Sequence, residues 1–209
     1  MESKTYLNGG DNLENKICLK DLDEEIHSVY FTESDNVIEK LYSPLLGKSV
    51  RYVRGAGYFR SSVFRLMTEE LLDFAIRGGK MTLLTSIHID EKDYKTVMSN
   101  LNEDIFIKEL KEMREDTELI DATDMLAALI CHGSLRIKIG IRKSGIYHKK
   151  IGFFEDSCGC IVSFQGSGNE TLSALNPNID EGNSDSFAVY KSWNNNNWKS
   201  HGEEYYKRL

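Results

Sequence analysis

The chain is 209 residues long and has no apolar run approaching the roughly 20 residues that a membrane-spanning helix requires. Its first residues, MESKTYLNGGDNLENK, lack the apolar core of a secretory signal. Neither a lipidation signal nor a basic amphipathic helix is present. These absences lead to the expectation of a cytoplasmic protein with no membrane partner. Cysteine is scarce: Cys18, Cys131, Cys158 and Cys160 make four, and without a secretory signal they are expected to be reduced thiols. Cys158-Gly-Cys160 and Cys131-His132 do not have the spacing of a common zinc finger. They read as a turn and a helix end, so no metal and no cofactor are expected. Positive charge is in deficit, with 26 Lys and Arg against 33 Asp and Glu, a net charge of −7. That argues against a generally basic nucleic-acid binder. No Walker-type phosphate loop, internal repeat or separate sequence-reading domain is found.

What remains has the composition of an ordinary globular domain, 40% hydrophobic and 28% charged. Residues 1–30 read as a poorly defined N-terminal segment and 31–209 as one domain. SDNVIEKLYSPLL reads as a helix and KSVRYVRGAGYF as a strand whose two glycines indicate a close backbone approach or a bulge. RSSVFRLMTEELLDFAIRGG carries apolar residues at helical spacing and KMTLLTS follows as a buried strand, so a parallel β-α-β unit is expected. Residues 90–132 read as three helical pieces, of which ATDMLAALICHG is the last. SLRIKIGI and IYHKKIGFF read as two strands joined in a hairpin by KSG. CIVSFQ and SDSFAVYKSW supply further strands, and WKSHGEEYYKRL a terminal helix. The fold class expected is α/β, a mixed sheet flanked by helices.

Charge is unevenly distributed. Arg136, Lys138, Arg142, Lys143, Lys149 and Lys150 fall in one fifteen-residue span that holds no acid. Such a stripe is either a solvated strand pair or a local anion site. On a strand, His148 and Lys150 would share one face, and a buried face does not accept an imidazole and an ammonium without a reason. An anion supplies one. Lysine brings fixed positive charge, and histidine is the side chain suited to act as base, acid or nucleophile near neutral pH. One strand later comes Gly166-Ser167-Gly168-Asn169. Its glycines free backbone N–H groups to point inward, and Ser167 and Asn169 add side-chain donors. The combination describes a phosphate cradle with a nucleophile inside it. Lys149, Arg136 and Lys138 are candidate contacts to a substrate backbone, and Tyr58 either lines the cleft or packs beneath it.

The order His148-x-Lys150, an acid at Glu155 or Asp156, Gly166-Ser167-x-Asn169 and a later strand acid at Asp185 resembles the HKD motif of the phospholipase D (PLD) superfamily. RGAGYFRSSVFRLMTEELLDFAIRGGKMTLLTS and HKKIGFFEDSCGCIVSFQGSGNET resemble the PLD-like nuclease domains found beside helicases and in restriction and antiviral defence systems. The resemblance implies a PLD-like mixed β-sheet with helices on both faces and a single HKD motif per chain. It implies a hydrolase: a metal-independent phosphodiesterase that cleaves DNA through a phosphohistidine on His148. Lys150, Ser167 and Asn169 would neutralise the phosphoryl oxygens, and Asp185 and Asp156 would be the acids of the motif. The group often carries a glutamate where this chain has Asp185, an acid one methylene shorter. The scheme needs two histidines, so the resemblance implies a homodimer with a composite site, and a helicase or ATPase partner. Two alternatives stay open: a catalytically weak PLD-fold module for dimerisation or nucleic-acid binding, and a lipid diesterase.

Overall fold

A computed structural model describes residues 18–86, 121–141, 143–176, 178 and 182–209. Seven strands form one mixed sheet in the order β1-β7-β6-β5-β2-β3-β4. They are β1 (Val29–Phe31), β2 (Arg51–Ala56), β3 (Lys80–Thr85), β4 (Leu135–Ile139), β5 (Ile151–Glu155), β6 (Ile161–Gly166) and β7 (Ser186–Lys191). β2, β3 and β4 run parallel, whereas β2–β5, β5–β6, β6–β7 and β1–β7 are antiparallel. As a result, the C-terminal ends of β2 and β6 and the N-terminal ends of β5 and β7 share one end of the sheet.

Period-two alternation sorts the side chains between two faces. Tyr52, Phe154, Phe164 and Phe187 line one face, where Tyr52 stacks on Phe154 at 4.3 Å between ring centroids. Tyr42 meets three of these rings edge-on. Its own segment, Ile38–Tyr42, runs straight into α1 (Ser43–Lys48), where Pro44 has no N–H to offer the Lys40 carbonyl, which accepts from the Tyr30 hydroxyl at 3.2 Å instead. α2 (Thr68–Ile76) packs beside α1 and follows a separate turn, Ser61–Leu66, because Met67 breaks the helix with φ −146°. Phe153, Ser163 and Tyr190 line the other face. The C-terminal helical stretches Asn195–Asn197, Trp198–Gly202 and Glu203–Lys207 cover it, with Tyr206 4.7 Å from Phe153 and the Ser163 hydroxyl donating to Gly202 O at 2.9 Å. The expected mixed sheet with helices on both faces is what the structure has.

The parallel β-α-β unit is present as β2-α2-β3. The last of the three expected helical pieces is α3 (Ala122–Cys131), whose N-cap Asp121 accepts from Thr123 N; the other two lie outside the described residues. Three expectations need correction. SLRIKIGI and IYHKKIGFF do not form a hairpin. Every residue of β5 but the last is buried, and the strand lies between β2 and β6; β4 is largely exposed and takes the sheet edge beside β3. The two strands are thus sorted by burial rather than by proximity in sequence. Second, His148 and Lys150 precede β5 rather than lie on it. Third, the N-terminal segment is not poorly defined as far as residue 30. Leu19, Leu22, Ile26 and Tyr30 join the core, and β1 pairs with β7.

Candidate active site

Lys150 and Gly166 face each other where β5 and β6 begin and end, joined by Gly166 N donating to Lys150 O at 3.0 Å. This pairing brings the His148-Lys149-Lys150 segment beside the Gly166–Asn169 loop. Gly57, just past β2, sits against both. A Cβ at Gly57 would lie 2.8 Å from His148 Cδ2 and 3.2 Å from Asn169 Oδ1, closer than the ring could tolerate. The glycine is what lets histidine and asparagine approach each other. Lys150 Nζ lies 2.9 Å from Nε2 and 3.2 Å from Nδ1 of the exposed His148 ring, and 3.3 Å from the His148 carbonyl. An ammonium tethered this way stands where an anion beside the ring would meet it. Partial burial, and then the Arg54 guanidinium, hold the Lys150 pKa below the usual lysine value, and Asp185 works in the opposite direction.

Asn169 is oriented by its own loop. Oδ1 accepts from Tyr58 N at 3.1 Å, which leaves the amide Nδ2 as a donor. Tyr58 is 42% exposed and presents its ring edge-on to His148 at 6.4 Å between centroids, so it walls the site rather than filling the core. Ser167 donates to Asp185 Oδ1 at 2.5 Å and receives Ser186 N at 3.2 Å. The Asp185 carboxylate is therefore bonded to Ser167, and the His148 ring has Lys150 as its hydrogen-bonding neighbour.

Sequence reasoning missed the group beneath this surface. Arg54 and Glu170, 0% and 1% exposed, form an ion pair with Nε 2.9 Å from Oε2. Tyr52 and Tyr42 donate to the same carboxylate at 2.9 and 3.3 Å, and Arg54 Nη2 donates to Gly168 O at 2.7 Å. The Phe164 ring lies under the guanidinium, 5.1 Å from Cζ to centroid. Burial works against the Arg54 charge, but Tyr42, Glu170 and Tyr52 more than offset it and raise its pKa above the usual arginine value. Burial pushes the pKa of both phenols up, so they stay protonated donors. The quartet fixes the carbonyl of Gly168 and the chain direction at Glu170, which places Asn169 between them. Arg54 Nη1 is buried with no hydrogen-bond partner among the described residues. The available signal was the alternation of β2, which puts Arg54 on the same buried face as Tyr52 and so demands a buried acid.

Other expected site residues lie apart. Asp156 follows β5 at the opposite end of the sheet, about 17 Å from the start of the strand at ~3.3 Å per residue. Its carboxylate accepts from Leu19 N at 2.7 Å and from Cys158 N and Cys160 N at 2.8 Å. It shapes the β5–β6 turn and does not reach His148. Arg136 and Lys138 are exposed on β4, separated from β5 by β3 and β2, so they are not part of the histidine cluster. Lys149 is exposed and, with Lys150, Gln165, Tyr205 and Arg208, lines a cavity of about 370 Å³. A second cavity of about 570 Å³ is lined by Asn169 together with Tyr58, Arg60, Ser62, Ser173 and Asn183. Among the described residues, the other histidines lie elsewhere: His27 stacks on Tyr30, His132 bonds Ser134 and His201 stacks on Tyr190. No helix among the described residues is long and apolar enough to cross a membrane.

No protein-family model and no curated protein matches the chain. Solved structures that resemble it include yeast tyrosyl-DNA phosphodiesterase, 14% identical, with a TM-score of 0.40 over 77% of this chain and 30% of that one. Phosphatidylserine synthase from Haemophilus influenzae is 12% identical, with a TM-score of 0.47 over 86% of this chain and 37% of that one. The chain spans about a third of the length of these structures.

Proposed function

We propose that this chain is a phosphodiesterase of the phospholipase D superfamily that cleaves DNA through a phosphohistidine on His148. The observation that supports this most directly is the close approach of His148, Lys150 and Asn169 around Gly57 at one end of the sheet. In the proposed reaction the His148 imidazole attacks phosphorus, the P–N bond forms and the P–O bond to the leaving oxygen breaks. The Lys150 ammonium and the Asn169 amide donate to the phosphoryl oxygens as their charge grows, so charge neutralisation comes from the protein's own donors. Ser167, held by Asp185, contributes its backbone and hydroxyl to the loop that shapes this cradle. Lys149 and Tyr58 contact the substrate backbone on either side. The leaving oxygen needs a proton. A second copy of this chain, related by a two-fold axis, supplies it from its own His148. Water then attacks phosphorus, the second imidazole takes its proton, and the P–N bond breaks.

The setting we propose is restriction or antiviral defence beside a helicase or ATPase partner, on the strength of the sequence resemblance. A second reading, a dimerising or nucleic-acid-binding module without turnover, draws support from the bond between Asp185 and Ser167, with no acid bonded to the imidazole among the described residues. Cleavage of DNA in a metal chelator separates the two. The wild type is expected to cleave, and His148→Asn to lose on the order of 10⁶-fold in rate, as nucleophile removal does elsewhere. Activity that disappears in chelator and survives His148→Asn overturns the mechanism. Binding without cleavage by the wild type selects the second reading.

A further inference from the structure

Three of the four cysteines gather at the end of the sheet away from His148. Cys158 and Cys160 belong to the β5–β6 turn, and Cys18 reaches them from the segment just before the Leu19–Leu22 turn. Cys18 Sγ lies 3.3 Å from Cys160 Sγ. Cys18 Sγ, Cys158 Sγ and a carboxylate oxygen of Asp156 all lie within 4.8 Å of one another. Core packing accounts for Cys160, which lies against the core, but neither packing nor turn formation accounts for the approach of Cys158. Cys158 is exposed, so burial of a small apolar side chain does not explain it. The Asp156 carboxylate explains the turn by itself, through the N–H groups of Cys158 and Cys160, with no need of thiols. A Cys18–Cys160 disulfide would leave the approach of the exposed Cys158 unexplained.

The geometry points to a structural zinc site built on Cys18, Cys158 and Asp156, with Cys160, beside Cys18 but outside the mutual spacing of those three, turning in as the fourth ligand. Zinc takes four tetrahedral ligands from thiolates, imidazoles and carboxylates, with Zn–S near 2.3 Å, so two sulfurs on one ion stand about 3.8 Å apart. The widest spacing in the Cys18–Asp156–Cys158 group exceeds this by at most about 1 Å, and the Cys18–Cys160 spacing falls about 0.5 Å short. Rotations of exposed and half-buried side chains cover such differences. Three thiolates favour a soft borderline ion over magnesium or calcium. Asp156 Oδ1 already accepts two backbone N–H groups and Oδ2 one, so Oδ2 keeps a lone pair for the ion. Those same N–H bonds fix the carboxylate orientation in the way outer partners orient metal ligands. Cys131 and His132, the other pair with ligand chemistry, end α3 beside β4, about 14 Å away across three strand spacings. The ion would tie the N-terminal segment to the β5–β6 turn, a role separate from the reaction at His148.

Full-length protein purified under reducing conditions is expected to carry about one zinc per chain by elemental analysis. Exchange into Co²⁺ is expected to give the near-ultraviolet thiolate-to-cobalt band and the visible bands of a tetrahedral ion. Cys158→Ser, an exposed position that should not perturb folding, is expected to lose the metal and the cobalt bands, and Cys131→Ser to keep both. Zinc binding is also expected to release protons as the thiols ionise. Protein that carries no zinc and binds no Co²⁺ overturns the proposal, as does zinc retained at full stoichiometry in Cys158→Ser. An intact mass lower by two hydrogens, mapping to a Cys18–Cys160 disulfide, overturns it as well. Because the readout is metal content, failure here leaves the reading of His148 intact, and loss of DNA cleavage leaves this one intact.

Discussion

Replacing Glu170 by glutamine removes one charge from a pair that is 0% and 1% exposed. The side-chain volume barely changes, so the effect isolates charge and hydrogen bonding. Arg54 would keep its bond to Gly168 O, but among the described residues its charge would lie buried without a counter-ion and with Nη1 already unpartnered. Breaking one side of a buried pair costs about 3–5 kcal/mol. For a chain of 209 residues, at about 2–4 °C per kcal/mol, that is a fall in Tm of about 6–20 °C. A built-in control is the Arg51–Glu155 pair, where the same 2.9 Å contact is made with the side chains 48% and 25% exposed. Glu155→Gln is expected to cost under about 1 kcal/mol, because water screens the pair. Urea or thermal unfolding followed by circular dichroism reads both. Arg54→Met in the Glu170→Gln background removes the orphaned charge and is expected to recover part of the loss. Equal destabilisation by Glu170→Gln and Glu155→Gln, or no recovery in the double variant, would refute the reasoning.

Further outcomes follow from the site. Gly57→Ala places a methyl group 2.8 Å from the His148 ring and is expected to reduce cleavage by about 10²-fold through misplacement, with Tm little changed; a full-rate variant would show that the close approach is irrelevant. Because burial and Arg54 depress the Lys150 pKa while Asp185 raises it, the ammonium loses its proton at lower pH than a free lysine. Cleavage should then fall on the alkaline side before ordinary lysines titrate, and Asp185→Asn should move that limb to still lower pH in a pH–rate profile. The sign for stability is the reverse: the penalty of charging Lys150 is present below its folded pKa and is relieved as pH rises toward the unfolded value. Lys149→Ala is expected to weaken DNA binding regardless of sequence and to reduce the salt slope by about one. Arg136→Ala, at the β4 edge, is expected to leave cleavage unchanged at saturating DNA.

The parts of this fold that were legible in the sequence are those written in local pattern. Alternation in RYVRGA, helical spacing in TEELLDFAI and the Gly78-Gly79 stop lie within one short stretch and define β2-α2-β3. The hairpin expectation failed because KSG flanked by alternating residues carries the local signal of a turn, while β4 pairs with the distant β3, and β5 pairs with the distant β2 and with β6, the strand that follows it. Glu170 was invisible for a similar reason: its partner Arg54 is 116 residues away, and in GSGNE nothing separates a buried acid from a loop acid. The resemblance offered Glu155 or Asp156 as the motif acid, yet a five-residue strand carries Asp156 to the other end of the sheet. His148, Lys150, Ser167 and Asn169 were legible because two adjacent strands bring their ends together whatever the rest of the topology does.

The stereochemical course at phosphorus addresses the central claim most directly. A DNA substrate with one chiral phosphorothioate at the scissile position, cleaved in isotopically labelled water, reports whether one or two displacements occur. Attack by His148 followed by attack of water inverts phosphorus twice, so the account predicts overall retention, lost together with cleavage in His148→Asn. Net inversion would mean that water attacks directly, and would contradict the phosphohistidine.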